Sequence, residues 1–246
     1  VSPWPVISNP DTLSIELVNY SFENEFGHNW YLSESYLGTP LSPSEFSSLH
    51  IGKIPNQDIN VGGVFVDFDL NDFIFSPNIP VDDLLIEISG NNAIHETISL
   101  QQIVSLSYLN WKGVEWIRFR ISDTLGNFSI DSAQFLVGTI LNQFPCGVIY
   151  SINQSPLLIT DPITIPDGCN VTFLEGVEIR MKANTELIVK GSVNFLGTYS
   201  DSIYLHAHLT EWNSILIDSS NVTSKFNYVS YQDATNGSDS AKMNAS

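Results

Sequence analysis

The feature that most constrains the fold is a series of very short apolar strands at even spacing between residues 166 and 205. Apolar and polar residues alternate there in bursts, and Gly, Asp or Asn ends each burst before it reaches an ordinary strand length. Three apolar tracks recur every 22 to 24 positions: Val171, Val193 and Ile215; Ile179, Ile203 and Phe226; Ile163 and Leu187. Three short strands in each such period predict a parallel β-helix whose coils stack about 4.8 Å apart.

The same alternation predicts which side chains fill the axis of this β-helix. The expected core positions are Val171, Phe173, Val177, Ile179, Leu187, Val189, Val193 and Phe195. The breaks between strands, where the chain has to turn a corner, hold Gly168, Gly176, Gly191 and Gly197.

The rest of the chain also has the pattern of strands. We find no sustained 3.6-residue apolar period with helix caps, whereas two-residue alternation bounded by Gly, Pro, Asn and Asp recurs throughout. We therefore predict an all-β protein with three zones: residues 1–50, residues 51–138 and residues 139–246.

Residues 1–50 hold one strand followed by irregular chain, which is typical of the end of a domain that began upstream. This zone resembles the closing segment of lamin-tail domains of bacterial secreted proteins at SIELV (14–18), Asn24, Gly27, Asn29-Trp30, Ser33 and Gly38-Thr39-Pro40. Leu37 and Leu41 depart from the GGTPG that usually ends the family. The resemblance implies an Ig-like sandwich upstream and no catalysis.

Residues 51–138 have strands at the spacing of a β-sandwich. They resemble the cadherin-like or Ig-like repeats of large extracellular proteins at Asp69-Leu70-Asn71-Asp72, Ser89-Gly90-Asn91, Asn110-Trp111-Lys112-Gly113, Ile117–Asp123 and Gly126. Within this zone we expect Trp111 and Trp116 to fill the core. We expect Asp123–Gly126 to form a hairpin turn between the last two strands.

Residues 139–246 resemble the first coils of right-handed parallel β-helix proteins of the pectate-lyase-like type. The similarity lies in Cys146–Ile149, Ile163–Gly168, Leu174–Val177, Leu187–Val193 and Gly197-Thr198. It implies the start of an incomplete β-helix and places Cys146 and Cys169 one coil apart. A disulfide between them would clamp the first coil and contribute about 3 kcal/mol by loop closure.

Four aspartates are the candidate metal ligands, namely Asp69, Asp72, Asp82 and Asp123. With Asp67 and Asp83 they form an acidic group whose oxygens could converge on Ca²⁺ at one end of the sandwich. The alternative is a hydrated acidic loop. Ser76-Pro77-Asn78 favours this alternative, because related repeats often have Asp-Pro-Asp there.

Three further groups of side chains have a functional and a structural interpretation. His206 and His208 with Glu211 could hold a metal, or belong to a loop that closes a coil. Glu178, Arg180 and Lys182 alternate outward, which favours a charged surface over a lyase site. Two sets of aromatic residues could stack on sugar rings: Trp30, Tyr31 and Tyr36, or Trp212, Tyr228 and Tyr231. The structural interpretation is that these residues belong to the core.

Charge and motifs narrow the function further. With 27 acidic and 9 basic residues the formal charge is −18, which repels nucleic acid and anionic membrane surfaces. No apolar run approaches the ~20 residues of a membrane helix, so we expect no membrane insertion. We predict no catalytic residue, because no G-x-S-x-G, H-E-x-x-H or P-loop pattern occurs.

These observations lead us to expect a fragment of a multidomain bacterial protein, located outside the cell or on its surface. Its expected role is structural and adhesive, with carbohydrate or other cell-surface proteins as partners and no catalysis of its own. The alternative is the non-catalytic leading part of a polysaccharide lyase or glycoside hydrolase whose active coils lie beyond Ser246. A third hypothesis makes the sandwich a calcium-rigidified spacer.

Overall fold

The computed structural model describes residues 4–5, 14–33, 38, 47–218 and 223–235. The chain divides into a first unit, residues 1–58 with 64–136, and a second unit, residues 59–63 with 137–246. The predicted all-β class is confirmed. In the described ranges the only helical segments are short 3-10 helices, at Gly27–Asn29, Leu70–Phe73, Val81–Asp83 and Ile152–Gln154, and no helix there is long and apolar enough to cross a membrane.

The first unit is built from small sheets with antiparallel strand pairs. Its strands are β1 (Ile15–Leu17), β2 (Trp30–Leu32), β3 (His50–Ile51), β4 (Gln57–Asn60), β5 (Phe68–Asp69), β6 (Ile74–Phe75), β7 (Leu85–Ser89), β8 (Ile94–Ile98), β9 (Ile103–Tyr108), β10 (Gly113–Ser122) and β11 (Phe128–Leu141), and the unit boundary crosses β4 and β11. β1 pairs with β2, β3 with β6, and β9 with both β5 and β8. β10 lies between β7 and β11.

The core of the first unit follows from two-residue alternation along β10. Ile117, Phe119 and Ile121 are fully buried, and the Phe119 ring meets the ring of Phe68 edge-on at 5.8 Å. The prediction that Trp116 fills the core is wrong, because Trp116 is 52% exposed. It stands one position before Ile117, so strand geometry turns it to the opposite face of the sheet.

Two buried carboxylates tie loops to the core of the first unit. Asp131 accepts hydrogen bonds from Lys53 Nζ at 2.8 Å and from the backbone N–H of Ile54 at 2.7 Å. Glu115 accepts from the backbone N–H groups of the loop before β8, the shortest being that of Ala93 at 2.7 Å. Because each carboxylate is fully engaged, its burial is compensated.

The second unit is a β-solenoid of about three turns over residues 149–231. One sheet contains β12 (Ile149–Tyr150), β15 (Asn170–Leu174), β18 (Ser192–Leu196) and β21 (Lys225–Asn227). The next contains β13 (Leu157–Ile159), β16 (Glu178–Met181), β19 (Ile203–Ala207) and β22 (Val229–Tyr231). The third contains β14 (Ile163–Ile165), β17 (Glu186–Val189) and β20 (Ser214–Ile217). All of these pairings are parallel.

The predicted axial core is confirmed, because all eight expected positions are at most 1% exposed. The predicted tracks are confirmed where Val171 pairs with Val193 and Ile163 with Leu187. They are wrong for three residues. Ile215 stacks on Leu187 and Phe226 stacks on Phe195, each in a different sheet from the one predicted. Ile203 lies in the predicted sheet but two positions out of register, because Ile179 pairs with Leu205. The coils lengthen through insertions at their corners, so a constant period assigns later residues to the wrong sheet.

Two features close the corners of the first coils. Cys146 and Cys169 are joined in a disulfide with Cα atoms 4.9 Å apart. Gly191 packs directly over the preceding corner, where an added Cβ would lie 2.2 Å from the carbonyl oxygen of Cys169 and 2.3 Å from that of Pro166. Glycine is required at this position by close backbone approach.

Candidate functional site

The first unit contains a cavity of about 570 Å³, within the size range of small-molecule sites. Three segments form its walls: residues 47–49 before β3, residues 76–79 after β6, and residues 123–128 between β10 and β11. Loops at the end of a rigid sheet framework are common places for binding residues. We therefore take this cavity as the candidate site.

The turn between β10 and β11 forms one wall of the cavity and is fixed by several hydrogen bonds. Asp123 Oδ1 accepts from the backbone N–H groups of Leu125 and Asn127, both at 2.9 Å, and Oδ2 accepts from Asn127 Nδ2 at 2.7 Å. Gly126 closes the turn at a φ of +90°, with its N–H donated to the Asp123 carbonyl oxygen. The hairpin turn thus forms where the sequence predicts it.

The same hydrogen bonds determine the charge of Asp123. The hydrogen bond from the Asn127 side chain, supported by those from the backbone, holds the pKa of Asp123 below its ordinary value. The carboxylate is therefore anionic throughout the neutral and mildly acidic range.

The other two walls present hydroxyl and amide groups. Ser76 donates its hydroxyl to the carbonyl oxygen of Ile79 at 2.6 Å, which fixes the turn after β6. Asn78 Nδ2 donates to the carbonyl oxygen of Ser47 at 3.2 Å and so joins the two segments. Ser48 also lines the cavity. The polar lining of these two walls is neutral.

An exposed aromatic ring completes the lining. Phe128 is 56% exposed although it is the first residue of β11. The Arg120 guanidinium carbon lies 4.8 Å from the centroid of the Phe128 ring, and Arg120 also pairs with Glu87. This cation–π contact restricts the ring and orients it at the cavity wall.

The four aspartates predicted as calcium ligands lie on three different segments of the first unit. Asp123 lines the cavity beside Ser76-Pro77-Asn78. Asp69 caps a 3-10 helix that includes Asp72, and Asp82 lies 3.5 Å from Gln102 Nε2. In the part of the chain that the structure describes, no group of three or more His, Cys, Asp or Glu side chains could hold a metal ion. The calcium hypothesis stays a prediction.

The charged residues of the solenoid form a network across two coils. Glu178 Oε1 accepts from Arg180 Nη2 at 2.7 Å and contacts His206 Nε2 at 2.9 Å. Burial alone would raise the pKa of Glu178, but the hydrogen bond from His206 and the charge of Arg180 outweigh burial and leave this pKa below its ordinary value. The sequence did not indicate this pairing, because it depends on the register that sets Arg180 beside His206.

Several of the candidate sugar-stacking aromatics have structural roles, whereas Tyr228 is 57% exposed and its ring meets that of Tyr199 edge-on at 6.4 Å. Trp212 is fully buried in the solenoid core and donates its Nε1–H to the carbonyl oxygen of Gln232 at 2.9 Å. Trp30 donates to the carbonyl oxygen of Asn24 at 2.9 Å. Tyr36 lies outside the described residues. The sequence does not distinguish Phe128, the exposed aromatic at the cavity, from a core phenylalanine.

Neither the family models nor the characterised proteins nor the solved structures include a match to this chain.

Proposed function

We propose that this chain is an extracellular or cell-surface structural and adhesion module that binds carbohydrate in the cavity of its first unit, without catalysis of its own. The observation that carries this proposal is the cavity itself. It combines hydroxyl, amide and carboxylate groups with an exposed aromatic ring in a space of suitable size.

Carbohydrate fits the chemistry of this lining better than other ligand classes. Sugar hydroxyls donate to carboxylate, amide and hydroxyl oxygens and accept from amide groups, and Asp123, Asn78 and Ser76 offer these groups. The apolar face of a pyranose ring can pack on Phe128. None of the described residues that line the cavity is basic, so a fixed carboxylate disfavours anionic ligands such as phosphates.

A binding role also fits the titratable groups at the cavity. Glycoside hydrolysis ordinarily needs two carboxyl groups on opposite sides of the scissile bond, about 5 to 10 Å apart. Asp123 is the one carboxyl group among the described lining residues. Its lowered pKa also suits a hydrogen-bond acceptor and not a general acid.

The two units have separate parts in the proposal. For the first unit we favour a cadherin-like or Ig-like repeat, preceded by the end of a lamin-tail-like domain; its short antiparallel strands and the β10–β11 hairpin support this. For the second unit we favour the right-handed pectate-lyase-like type. A parallel solenoid with an apolar axial core is a stiff scaffold, which suits the spacing of binding surfaces.

The test is a screen of the 246-residue chain against neutral oligosaccharides, with acidic ones as the expected weaker binders, followed by calorimetric titration of the best neutral ligand. We expect Phe128→Ala to weaken binding about 3- to 10-fold through loss of ring packing. Leu125→Ala is the matched control, because Leu125 lies in the same turn, is 83% exposed and does not line the cavity. The proposal fails if no glycan binds, or if Phe128→Ala binds as tightly as the wild type.

A further inference from the structure

Strand β7 (Leu85–Ser89) lies at an edge of its sheet in the first unit, well inside the described range 47–218. It pairs with β10 along its whole length, and among the described residues no strand pairs with its other side. The backbone hydrogen bonds of described loops and turns do not reach it either. Such an edge presents backbone N–H and C=O groups to another chain, and β7 contains no Pro, Gly or Lys that would block pairing.

The inner side of β7 is apolar and only partly covered. Ile86 pairs with Ile121, and Ile88 pairs with Phe119. The two β10 residues are fully buried, whereas both isoleucines of β7 are half-buried. The apolar core therefore reaches the edge of the sheet. A strand added at this edge would cover the two isoleucines with its own inward side chains, which should be apolar.

The outer side of the same edge carries an arginine without a partner. Arg118 is exposed, and its side chain makes no ion pair or hydrogen bond with the described residues. It stands opposite Ser89 in the register, and this short side chain leaves room for the arginine to reach a strand beyond β7. Trp116, two positions earlier on the same face, is 52% exposed. Trp and Arg are the residues that most often carry the binding energy of protein interfaces.

Charge identifies the chemistry of the partner. The chain has 27 acidic and 9 basic residues, so a free arginine on an exposed sheet face is uncommon in it. The other arginine of β10, Arg120, already pairs with Glu87. A carboxylate on an added strand would therefore be bound at the position opposite Ser89, next to Arg118, and repelled at the position opposite Glu87.

We propose that the β7 edge is a docking site for an extended segment of a partner protein, which adds a strand to the sheet through backbone hydrogen bonds. The segment places apolar side chains beside Ile86 and Ile88. It places one carboxylate opposite Ser89, where Arg118 binds it. This docking site is separate from the carbohydrate cavity, because neither Arg118 nor Trp116 nor the strand β7 lines that cavity.

Fluorescence anisotropy of a labelled peptide, titrated with the 246-residue chain, tests this proposal. The probe is the peptide Thr-Val-Thr-Val-Glu-Val-Thr-Val-Thr, which has apolar residues at alternate positions and one central carboxylate. We expect saturable binding that Arg118→Gln weakens about 10-fold, through loss of a charge-assisted hydrogen bond. Lys190→Gln is the matched control, because it removes the same charge from an exposed residue of the second unit and should leave binding unchanged. A probe with Lys in place of Glu should also bind about 10-fold more weakly.

Amide hydrogen exchange locates the bound peptide without a variant. Protection of the β7 amides should rise when the peptide binds, because they gain backbone partners. The proposal is overturned if the peptide does not bind, if it binds Arg118→Gln as tightly as the wild type, or if β7 gains no protection. Polygalacturonate serves as the probe for a different occupant. If it binds through Arg118 while the peptide does not, the face belongs to an anionic polysaccharide and the proposal is wrong.

Discussion

Phe173 lies in the middle of an aromatic ladder along the inside of one solenoid sheet. Its ring stacks on Tyr150 with centroids 5.3 Å apart and on Phe195 at 4.9 Å, with interplanar angles of 16° and 10°. Phe195 in turn lies 5.0 Å from Phe226. Phe173→Ala removes the central ring and leaves a cavity between two coils.

The magnitude follows from burial and from the lack of room to repack. Phe173 is fully buried, and full truncation of a buried phenylalanine costs about 3 to 5 kcal/mol, of which the cavity is a large part. In a solenoid each coil contacts only its neighbours, and the parallel register fixes their spacing. The coils cannot close around the gap, so we expect the free energy of unfolding to fall by about 4 kcal/mol.

Urea unfolding resolved by hydrogen exchange is the suitable assay, because two units can unfold in separate transitions. The loss of stability should appear in the exchange of amides in β15 to β19, and the stability of the first unit should stay unchanged. Leu174→Ala is the control, since Leu174 is the next residue, faces outward and is only half-buried. It should cost less than half as much. A loss below about 1 kcal/mol for Phe173→Ala would refute the axial core as described.

Four further predictions concern the rest of the molecule. Gly191→Ala should cost about 2 kcal/mol or more in chemical unfolding, because its Cβ would overlap the carbonyl oxygens of Cys169 and Pro166. Cys169→Ser, which breaks a disulfide spanning 23 residues, should cost about 3 kcal/mol; an unchanged midpoint would contradict the clamp. Burial, reinforced by His28, lowers the pKa of His50 from 6.5 to about 4. Stability of the first unit that is present above pH 6.5 should therefore be lost as the pH falls towards 4, by up to about 3 kcal/mol, and His50→Gln should remove this pH dependence in urea titrations. The calcium hypothesis predicts a higher melting temperature with Ca²⁺ than with a chelator, and equal values would count against it.

The sequence predicts the solenoid and its core well because the apolar residues that fill the core recur at regular intervals along the chain. Val171 and Val193 stand in direct register, as the period indicates. Later partners are lost because the corner loops vary in length: Phe195 and Phe226 are 31 positions apart, against 22 for Val171 and Val193. A fixed period counts every residue of a coil, including those of the corner loops. The stacking of side chains depends only on which strand residues pair between coils.

The candidate site could be predicted only in part. Asp123 and its turn are visible in the sequence because Asp and Gly at these positions have strong turn preferences. Its proximity to Ser76 and Ser47 could not be predicted, because it depends on how distant loops meet at one end of the sheets. The exposure of Trp116 could not be predicted either. It depends on which face of the sheet its position in β10 presents to solvent, and not on the apolar character of the side chain.

The most direct test of the proposed function is a titration of the ¹⁵N-labelled chain with the best neutral oligosaccharide, followed by backbone NMR. Saturable shifts in the amide signals of Leu125 to Phe128 and of Ser76, Asn78 and Ile79, with the solenoid strands unchanged, are the predicted result. Binding that leaves these signals in place and shifts those of the solenoid would contradict the assignment of the cavity as the carbohydrate site.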